Sequence, residues 1–299
     1  MRKLVPLLLS LILLASCSDF SSRGSAVYMV SVANRYSGQN TLSATLKDQS
    51  AMVSQVALLS EKAGNSYYEY TFTESGGELM LDGVGYSASG VLDFLSSLEA
   101  GEDDLVIFYY SGHGGEEDEN GLGAVLYFDP VITNDQVYTD ELIEALSAIG
   151  GKKLLILDCC YSGEAVTGNS LSRVLSFSTS GDYVIYSGES VLDSIKAAFT
   201  QGSGGNGDIW VMAACQAGQL SYEYGHGFFT YGVLSALGYD VKAESPDVPS
   251  SSKLTFTGVF SDAFEMTYER FSELYGESYA RLQTPSATQT PVDLILFEL

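Results

Sequence analysis

A histidine and a pair of adjacent cysteines stand where two apolar runs end, and residues of these types can carry out nucleophilic catalysis. His113 follows the first run in DDLVIFYYSGHGG, while Cys159 and Cys160 follow the second in KKLLILDCCYSG. An imidazole can accept or balance the proton of a thiol whose sulfur attacks an acyl carbon. A neighbouring imidazolium and the start of a turn would also lower the pKa of that thiol. We therefore predict a catalytic dyad of His113 and Cys160.

Glycines beside the histidine complete the predicted chemistry. Gly112 and Gly114 permit a tight loop around His113. The backbone N–H groups of Gly114 and Cys160 are candidates for an oxyanion hole, which holds the negative charge that develops during acyl transfer.

Apolar runs that alternate with helical patterns would position these residues. The alternation is typical of an α/β fold around a mostly parallel sheet. Ligand sites of such sheets lie at the carboxyl ends of the strands. If the strands before His113 and Cys160 are neighbours, about 4.8 Å apart, the two side chains face one crevice. The predicted strands are Val27 to Ala33, Tyr67 to Thr73, Leu105 to Tyr110, Leu154 to Leu157, Ile209 to Ala213 and Leu294 to Phe297.

Capping residues and apolar periodicity predict the helices. Asp48 is interpreted as the N-cap of a first helix, Ser87 begins a second and Thr139 a third. A fourth amphipathic stretch covers residues 257–275. Residues 164–208 are rich in Gly and Ser, which indicates loops with one short strand at 183–187.

The charge of the chain limits its partners. Fourteen basic residues against 38 acidic ones give a net charge of -24, which disfavours nucleic acid and anionic membranes as docking partners and would attract basic polypeptides. Solubility or a salty habitat explains the same charge. The 45% hydrophobic content is that of a globular protein, and one domain is enough for it.

The N-terminus resembles the signal of a bacterial lipoprotein. A positive start and an apolar stretch too short to span a bilayer precede Leu14-Ala15-Ser16-Cys17, which is similar to a lipobox. The resemblance implies a signal peptide at 1–16, lipidation of Cys17 and a tether over 17–25. It also implies a lipid-anchored protein on the periplasmic or extracytoplasmic side of a bacterial cell envelope. An ordinary secretory signal is the alternative.

The remaining cysteines indicate neither a disulfide framework nor a metal site. Cys159, Cys160 and Cys215 are odd in number, and adjacent cysteines form a bridge only with strain. A zinc site is not expected, because the chain has no Cys-x-x-Cys pair.

The histidine and cysteine motifs resemble those of caspase-like peptidases, especially metacaspases and their bacterial relatives. YYSGHG at 109–114 and DCCYSG at 158–163 carry the likeness, and their separation (160 − 113 = 47) agrees with about 50 residues in caspases. Weaker echoes such as AACQAGQLSYE and GHGFFTYGVLSAL extend it over most of the mature chain. The resemblance implies a caspase-hemoglobinase fold, a three-layer α/β/α sandwich spanning residues 26–299, and cysteine endopeptidase activity.

The resemblance also assigns individual residues. The cysteine directly before X-Ser-Gly is the nucleophile of the family, which implies Cys160 and leaves Cys159 at a variable position. Asp158 and Asp48 match aspartates that line the first specificity pocket of metacaspases and select Arg or Lys. A turn role for Asp158 and a helix cap for Asp48 are the structural alternatives. Tyr161 departs from the family, since metacaspases commonly have histidine there.

Two regulatory features follow from the resemblance. Arg173 lies in the segment after the nucleophile, where caspase-like enzymes are often cut, and is the autocleavage candidate. Metacaspases are often activated by calcium, so Ca²⁺ is a candidate cofactor near the acidic run Glu116 to Glu119. A solvated charged loop explains that run equally.

Other functions stay open. A catalytically silent scaffold or binding protein could have the same fold. A clostripain- or gingipain-like peptidase is the alternative enzyme and would have a different set of strands. His226 is a second candidate base, but the resemblance favours His113 and places His226 in a loop at the pocket rim.

Overall fold

The computed structural model describes residues 25–37, 40–116, 123–129, 136–167, 209–288 and 293–299. Several predicted features lie outside these residues: the signal peptide, Cys17, Arg173, the short strand at 183–187 and most of the acidic run. Among the residues described, no helix combines the length and hydrophobicity needed to cross a bilayer.

A central sheet runs through the described part of the chain. Its strands are β1 (Ala26–Ala33), β2 (Ser66–Ser75), β3 (Glu78–Leu81), β4 (Val84–Tyr86), β5 (Leu105–Ser111), β9 (Lys152–Asp158), β10 (Ile209–Ala213) and β14 (Ser286–Ala287). Five of them form its parallel core in the order β10-β9-β5-β1-β2, and the hairpin β3-β4 and the short β14 add antiparallel edges. Strands β1, β5, β9 and β10 are buried on both faces, as their nearly continuous apolar sequences require, whereas β2 is partly exposed.

Helices cover both faces of this sheet and make it the middle of three layers. They are α1 (Thr45–Lys62), α2 (Ala88–Ser96), α3 (Thr139–Ser147), α4 (Glu164–Thr167), α5 (Phe228–Ala236) and α6 (Phe256–Tyr275), with a 3₁₀ turn at Ala280–Leu282. Alternate residues along each strand point to opposite faces. Met29 and Ile107 therefore pack with α1, α5 and α6, while Val30 and Phe108 pack with α2, α3 and α4. The predicted α/β/α sandwich is confirmed.

Local capping explains two predicted helix starts. The Ser87 hydroxyl accepts a hydrogen bond from the Gly90 nitrogen at 3.1 Å and so begins α2 as predicted. Helix α3 begins at Thr139, also as predicted, and the Glu141 carboxylate accepts the Tyr138 N–H at 2.9 Å. Helix α6 matches the amphipathic stretch at 257–275.

The last predicted strand lies outside the central sheet. It forms as β15 (Ile295–Glu298), but it pairs antiparallel with β13 (Lys253–Thr255). Strand β14 forms the edge of the central sheet beside β10 instead. Its two residues are too few to produce a periodic sequence pattern. Two further small sheets contain β6 (Gly114–Gly115), β7 (Val125–Leu126) and β8 (Val137–Tyr138), and β11 (Glu223–Tyr224) with β12 (His226–Gly227).

Candidate active site

Two neighbouring strands bring the predicted nucleophile and base to one cleft. β5 and β9 pair in parallel, with Ser111 opposite Asp158 at their carboxyl ends. The Gly112 nitrogen donates to the Asp158 carbonyl at 3.3 Å, which continues the pairing into the turns. His113 and Cys160 follow those turns and both line a cleft of about 350 Å³. The expected adjacency of the two strands is confirmed.

The imidazole of His113 is oriented by a backbone carbonyl. Its Nε2 lies 2.6 Å from the carbonyl oxygen of Asn40. A carbonyl oxygen only accepts hydrogen bonds, so Nε2 carries the hydrogen. In the neutral ring, Nδ1 then has the free lone pair and is the atom that can take a proton. Asn40 has a φ of +47°, the left-handed backbone that Asn tolerates better than most residues.

Two tyrosines hold the backbone of His113 on both sides. The Tyr36 hydroxyl accepts the His113 N–H at 3.0 Å and donates to the Tyr127 carbonyl at 2.7 Å. The Tyr110 hydroxyl donates to the His113 carbonyl at 2.7 Å. Gly112 is required beside them, because a Cβ there would lie 2.5 Å from each phenol oxygen. Burial raises the pKa of Tyr36, so its hydroxyl stays protonated.

Cys160 is half-buried, and its surroundings favour the protonated form of its thiol. The sulfur lies 3.8 Å from the Ser221 carbonyl, toward which its S–H points. Burial raises the thiol pKa above its usual value of 9.0. The expectation that the imidazole and the turn would lower this pKa is therefore wrong for this structure. Within the described residues, the side-chain hydrogen bonds of His113 and Cys160 lead to Asn40 and Ser221.

The turn that presents Cys160 is tightly packed. Tyr161 has a φ of +61°, and its nitrogen donates to the Gln219 carbonyl at 2.8 Å. A Cβ on Gly114 would lie 2.1 Å from the Cys160 carbonyl oxygen, so only glycine lets the histidine loop come this close. Gly114 and Cys160 are thus neighbours, while their oxyanion role stays a prediction.

The other two described cysteines are in the interior. Cys159 and Cys215 are free, buried thiols, 1% and 0% exposed, and burial raises the pKa of each. The Cys215 sulfur lies 3.5 Å from the Cys159 carbonyl. The two adjacent cysteines at the end of β9 therefore differ in environment. The side chain of Cys159 packs in the core, and Cys160 faces the cleft.

Asp158 is a buried carboxylate in the wall of the cleft. Its Oδ2 accepts from the Thr230 nitrogen at 2.9 Å and from the Thr230 hydroxyl at 2.7 Å. Its Oδ1 accepts from the Ser221 hydroxyl at 2.7 Å. Burial raises the Asp158 pKa, and these hydrogen bonds oppose that rise by favouring the charged form.

Asp48 is not the cap of the first helix. Helix α1 begins at Thr45, so Asp48 lies in its first turn, fully buried. Its Oδ1 contacts the His226 Nδ1, and its Oδ2 accepts from the Gly227 nitrogen at 2.8 Å. Burial raises the Asp48 pKa to about 6 despite these partners. The cleft lining includes Gly227 but not Asp48, so this carboxylate lies behind the wall.

His226 lies beside the cleft, because the next residue, Gly227, lines it. The expected loop is wrong, however, since His226 is 5% exposed and belongs to strand β12. Its contact with Asp48 draws the ring inward. A sequence signal for this pairing was lacking, because the two residues are 178 positions apart.

Glu223 takes the capping role that was expected of Asp48. Its carboxylate accepts from the Ser43 nitrogen at 2.7 Å, the Ser43 hydroxyl at 2.9 Å and the Ala44 nitrogen at 3.2 Å. It thus binds the N-terminus of α1 and also lines the cleft. Glu223, Ser221, Thr230 and Tyr36 are site residues that sequence reasoning missed, since each acts through a contact distant in sequence.

No cluster of three or more His, Cys, Asp or Glu side chains that could hold a metal ion occurs among the described residues. Most of the acidic run proposed for calcium is outside them. The calcium expectation therefore stays a prediction.

A family model described as the caspase domain matches residues 88–275. Among solved structures, a protein from Geobacter sulfurreducens aligns at 19% identity over 90% of this chain and 95% of its own, with a TM-score of 0.49. Caspase-1 from Spodoptera frugiperda aligns at 13% identity over 93% of this chain and 92% of its own, with a TM-score of 0.53. At this identity the second likeness shows the fold alone. No curated protein matches the chain.

Proposed function

Because this chain belongs to the caspase-domain family of cysteine peptidases, we propose that it is an endopeptidase with Cys160 as nucleophile and His113 as base. The observation that carries the proposal is the parallel pairing of β5 with β9, whose carboxyl ends deliver both residues to one cleft. Polypeptides are the substrates that this family implies.

The first step transfers the thiol proton to the imidazole. Nδ1 of His113 accepts the Cys160 proton while the sulfur attacks the scissile carbonyl carbon. The carbonyl π electrons move to oxygen, and the N–H groups of Gly114 and Cys160 stabilise that oxyanion. The imidazolium remains oriented by its Nε2–H···O bond to Asn40.

The second step releases the products. The C–N bond breaks as the oxyanion re-forms the carbonyl, and the imidazolium gives its proton to the leaving amine. A water molecule then attacks the thioester, His113 accepts its proton, and the carboxylic acid and the free thiol are formed. The raised pKa of the Cys160 thiol supports this general-base role, because a thiol that keeps its proton at neutral pH must transfer it during the attack.

The acidic wall of the cleft favours cleavage after Arg or Lys. Asp158 and Glu223 line the cleft, and Asp48 lies directly behind Gly227. Three carboxylates around one cleft attract a cationic side chain, and a low local dielectric strengthens that attraction. Neutral donors already occupy the oxygens of Asp158, so its contribution would be mainly charge.

Attachment and maturation complete the proposal. Lipidation of Cys17 would hold the enzyme on a bacterial envelope membrane, outside the cytoplasm, and would place the cleft near exported polypeptides. Cleavage after Arg173 would mature the chain. Activation by Ca²⁺ is tested by adding the ion or a chelator to the same assay.

A panel of fluorogenic peptides that differ only at P1 tests the function. We expect hydrolysis after Arg and Lys but not after Asp, and a loss of about 10³-fold or more in Cys160→Ala and in His113→Ala. Cys159→Ala is the matched control, because its thiol lies in the core and takes no part in the chemistry. An arginyl acyloxymethyl ketone should label wild type on Cys160.

The alternatives predict different results. A silent scaffold would cleave no peptide and would take up no label, although it would be folded by circular dichroism. A clostripain- or gingipain-like enzyme would share the Arg or Lys preference, and a different set of strands would distinguish it instead. Hydrolysis that survives Cys160→Ala would overturn the assignment of the nucleophile.

A further inference from the structure

A buried histidine and a buried carboxylate form a pair behind the wall of the cleft. His226 is 5% exposed and Asp48 is 0% exposed. The imidazole Nδ1 contacts the Asp48 Oδ1, while the Gly227 nitrogen donates to Oδ2 at 2.8 Å. Nε2 is buried and has no hydrogen-bond partner among the described residues. One hydrogen bond between Nδ1 and Oδ1 therefore joins the pair, and Nε2 is the ring atom that can gain or lose a second proton.

Only the backbone of one residue separates this pair from the cleft. Gly227 lines the cleft and donates to Asp48. A Cβ on Gly227 would lie 2.2 Å from the Asp158 Oδ2, so the chain passes in close contact between the two carboxylates. A charge on the pair would thus be felt by a ligand in the cleft, through low-dielectric protein instead of water.

The groups around the pair are mostly acidic. Asp158 approaches from β9 and the phenol of Tyr109 from β5, and both interact electrostatically with Asp48. On the outer side, the Tyr231 ring of α5 is 6.4 Å from His226, and Glu244 interacts with the imidazole. Glu223 belongs to the same hairpin as His226.

The one lysine recorded beside this group of side chains does not balance them. Lys47 binds Glu244 at 2.6 Å, at the partly exposed outer side. Arg270 stacks on the Tyr231 ring, with its Cζ 5.3 Å from the ring centroid, and pairs with Glu273 at 3.5 Å. His113 lines the cleft as the proposed base. His226 is thus the group in direct contact with Asp48 that can supply a balancing positive charge.

We propose that His226 is a specificity-determining residue, because the ionisation of its pair with Asp48 sets how strongly the cleft prefers a cationic P1 side chain. When both ring nitrogens carry protons beside the Asp48 carboxylate, the pair is neutral. When Nε2 gives its proton to solvent and Nδ1 keeps its hydrogen bond to Asp48, the pair carries one negative charge. The negative state attracts Arg or Lys, and a bound cation favours the loss of the proton by the same free energy. The preference for a cation thus rises as the pair deprotonates.

The ionisation range of the pair is consistent with this coupling. Burial raises the Asp48 pKa to about 6, because a negative charge is costly at this buried position. The inference rests on the proposed peptidase function and on P1 binding in this cleft.

Two substrates that differ only in P1 charge test the inference. Arginine and citrulline have nearly the same shape, but citrulline is neutral. We expect the ratio of their kcat/KM values to rise about 5- to 10-fold between about pH 5.5 and about pH 8.5 in wild type. The ratio removes the pH dependence of the catalytic residues, which both substrates share.

Variants separate the pair from its surroundings. The double variant Asp48→Asn/His226→Asn has no proton to gain or lose at these two positions. Its ratio of kcat/KM for the arginine substrate to kcat/KM for the citrulline substrate should therefore stay at the low-pH value of wild type at every pH. Glu244→Gln removes an exposed charge near the ring and should keep the wild-type slope. Circular dichroism establishes that each variant is folded.

A direct measurement covers the case in which the variants fail to fold. The chain has two histidines, so the imidazole signals of a protein without a histidine tag can be assigned by nuclear magnetic resonance. An arginyl peptide aldehyde should lower the pH at which the His226 signal titrates, and a citrullyl aldehyde should not. Two results would overturn this inference alone. One is an arginine-to-citrulline ratio of kcat/KM that changes equally with pH in wild type and in the double variant. The other is a shift of the His226 signal that is the same with both aldehydes. Absence of cleavage of both substrates would overturn the proposed function together with it.

Discussion

The Tyr36 hydroxyl accepts the backbone N–H of His113 at 3.0 Å, across 77 positions of the chain. It also donates to the Tyr127 carbonyl at 2.7 Å. Tyr36→Phe would leave the part-buried His113 N–H without this partner, which costs about 1–3 kcal/mol of folding free energy. The Tyr127 carbonyl would keep the Tyr110 hydroxyl as a donor at 3.2 Å. Because the histidine loop would then be less constrained, we expect kcat to fall about tenfold with little change in KM. Urea unfolding and steady-state kinetics measure the two effects.

Tyr67→Phe is the matched control for this change. The Tyr67 hydroxyl donates to the Val53 carbonyl at 3.2 Å, away from the cleft. The Tyr67→Phe variant should lose some stability and keep full kcat. An equal loss of kcat in both variants would mean that Tyr36 acts only on overall stability.

Gly112→Ala tests how closely the histidine loop packs on the two phenols. The added Cβ would lie 2.5 Å from the hydroxyls of Tyr36 and Tyr110, both of which are fully buried. The loop must move to relieve this contact, so we expect activity to fall by about 10²-fold, because small displacements of catalytic groups have effects of that size. Peptide hydrolysis and thermal unfolding measure the outcome.

Gly258→Ala provides the comparison within the same fold. Its Cβ would lie 3.3 Å from the Thr255 hydroxyl oxygen, and alanine is favoured over glycine in a helix by about 1 kcal/mol. We expect normal activity and unchanged or higher stability. A fully active Gly112→Ala enzyme would contradict the tight packing of the histidine loop.

The catalytic strands were predictable because their sequences have few alternatives. Long apolar runs that end in small and polar residues favour buried parallel strands, and the carboxyl ends of parallel neighbours meet at one edge of the sheet. These rules, together with the family motifs, were enough to predict that His113, Cys160 and Asp158 follow neighbouring strands and lie at one cleft. Helices α2, α3 and α6 followed from local caps and amphipathic patterns.

The remaining features depend on contacts that a local pattern does not record. Helix α5 is apolar on most sides, so its sequence lacks the contrast that reveals a helix face. Asp48 precedes a helical pattern as a cap would, but Glu223, 180 residues from Ser43, occupies that role. The Asp48 carboxylate does not cap α1, and it points inward to His226.

The alkylation of Cys160 should depend steeply on pH. Burial raises the thiol pKa above 9.0, so the thiol is protonated at neutral pH and loses its proton only as the pH rises through that raised value. Since the thiolate is the reactive form, the rate with iodoacetamide should rise about tenfold per pH unit between about pH 7 and about pH 9. Mass spectrometry of the modified peptide measures that rate.

Cys160→Ala is the control for alkylation. Cys159 and Cys215 are buried and should react only when the protein unfolds. A wild-type rate that is already constant at neutral pH would indicate a preformed thiolate–imidazolium pair. The general-base step proposed for His113 would then be wrong.

Glu223→Gln should weaken both the start of α1 and the binding of basic substrates. The Glu223 carboxylate accepts three hydrogen bonds from Ser43 and Ala44 where the N-cap itself supplies none, so its charge interacts with the positive end of the helix dipole. Glutamine keeps an acceptor oxygen but loses the charge, which should cost about 0.5–1 kcal/mol. Because the same charge faces the cleft, KM for an arginyl peptide should rise about fivefold.

Glu141→Gln separates the two effects, since Glu141 binds the start of α3 in the same way and does not line the cleft. It should match the loss of stability in urea unfolding and leave KM unchanged, and an equal rise of KM in both variants would exclude an electrostatic role for Glu223 in the cleft.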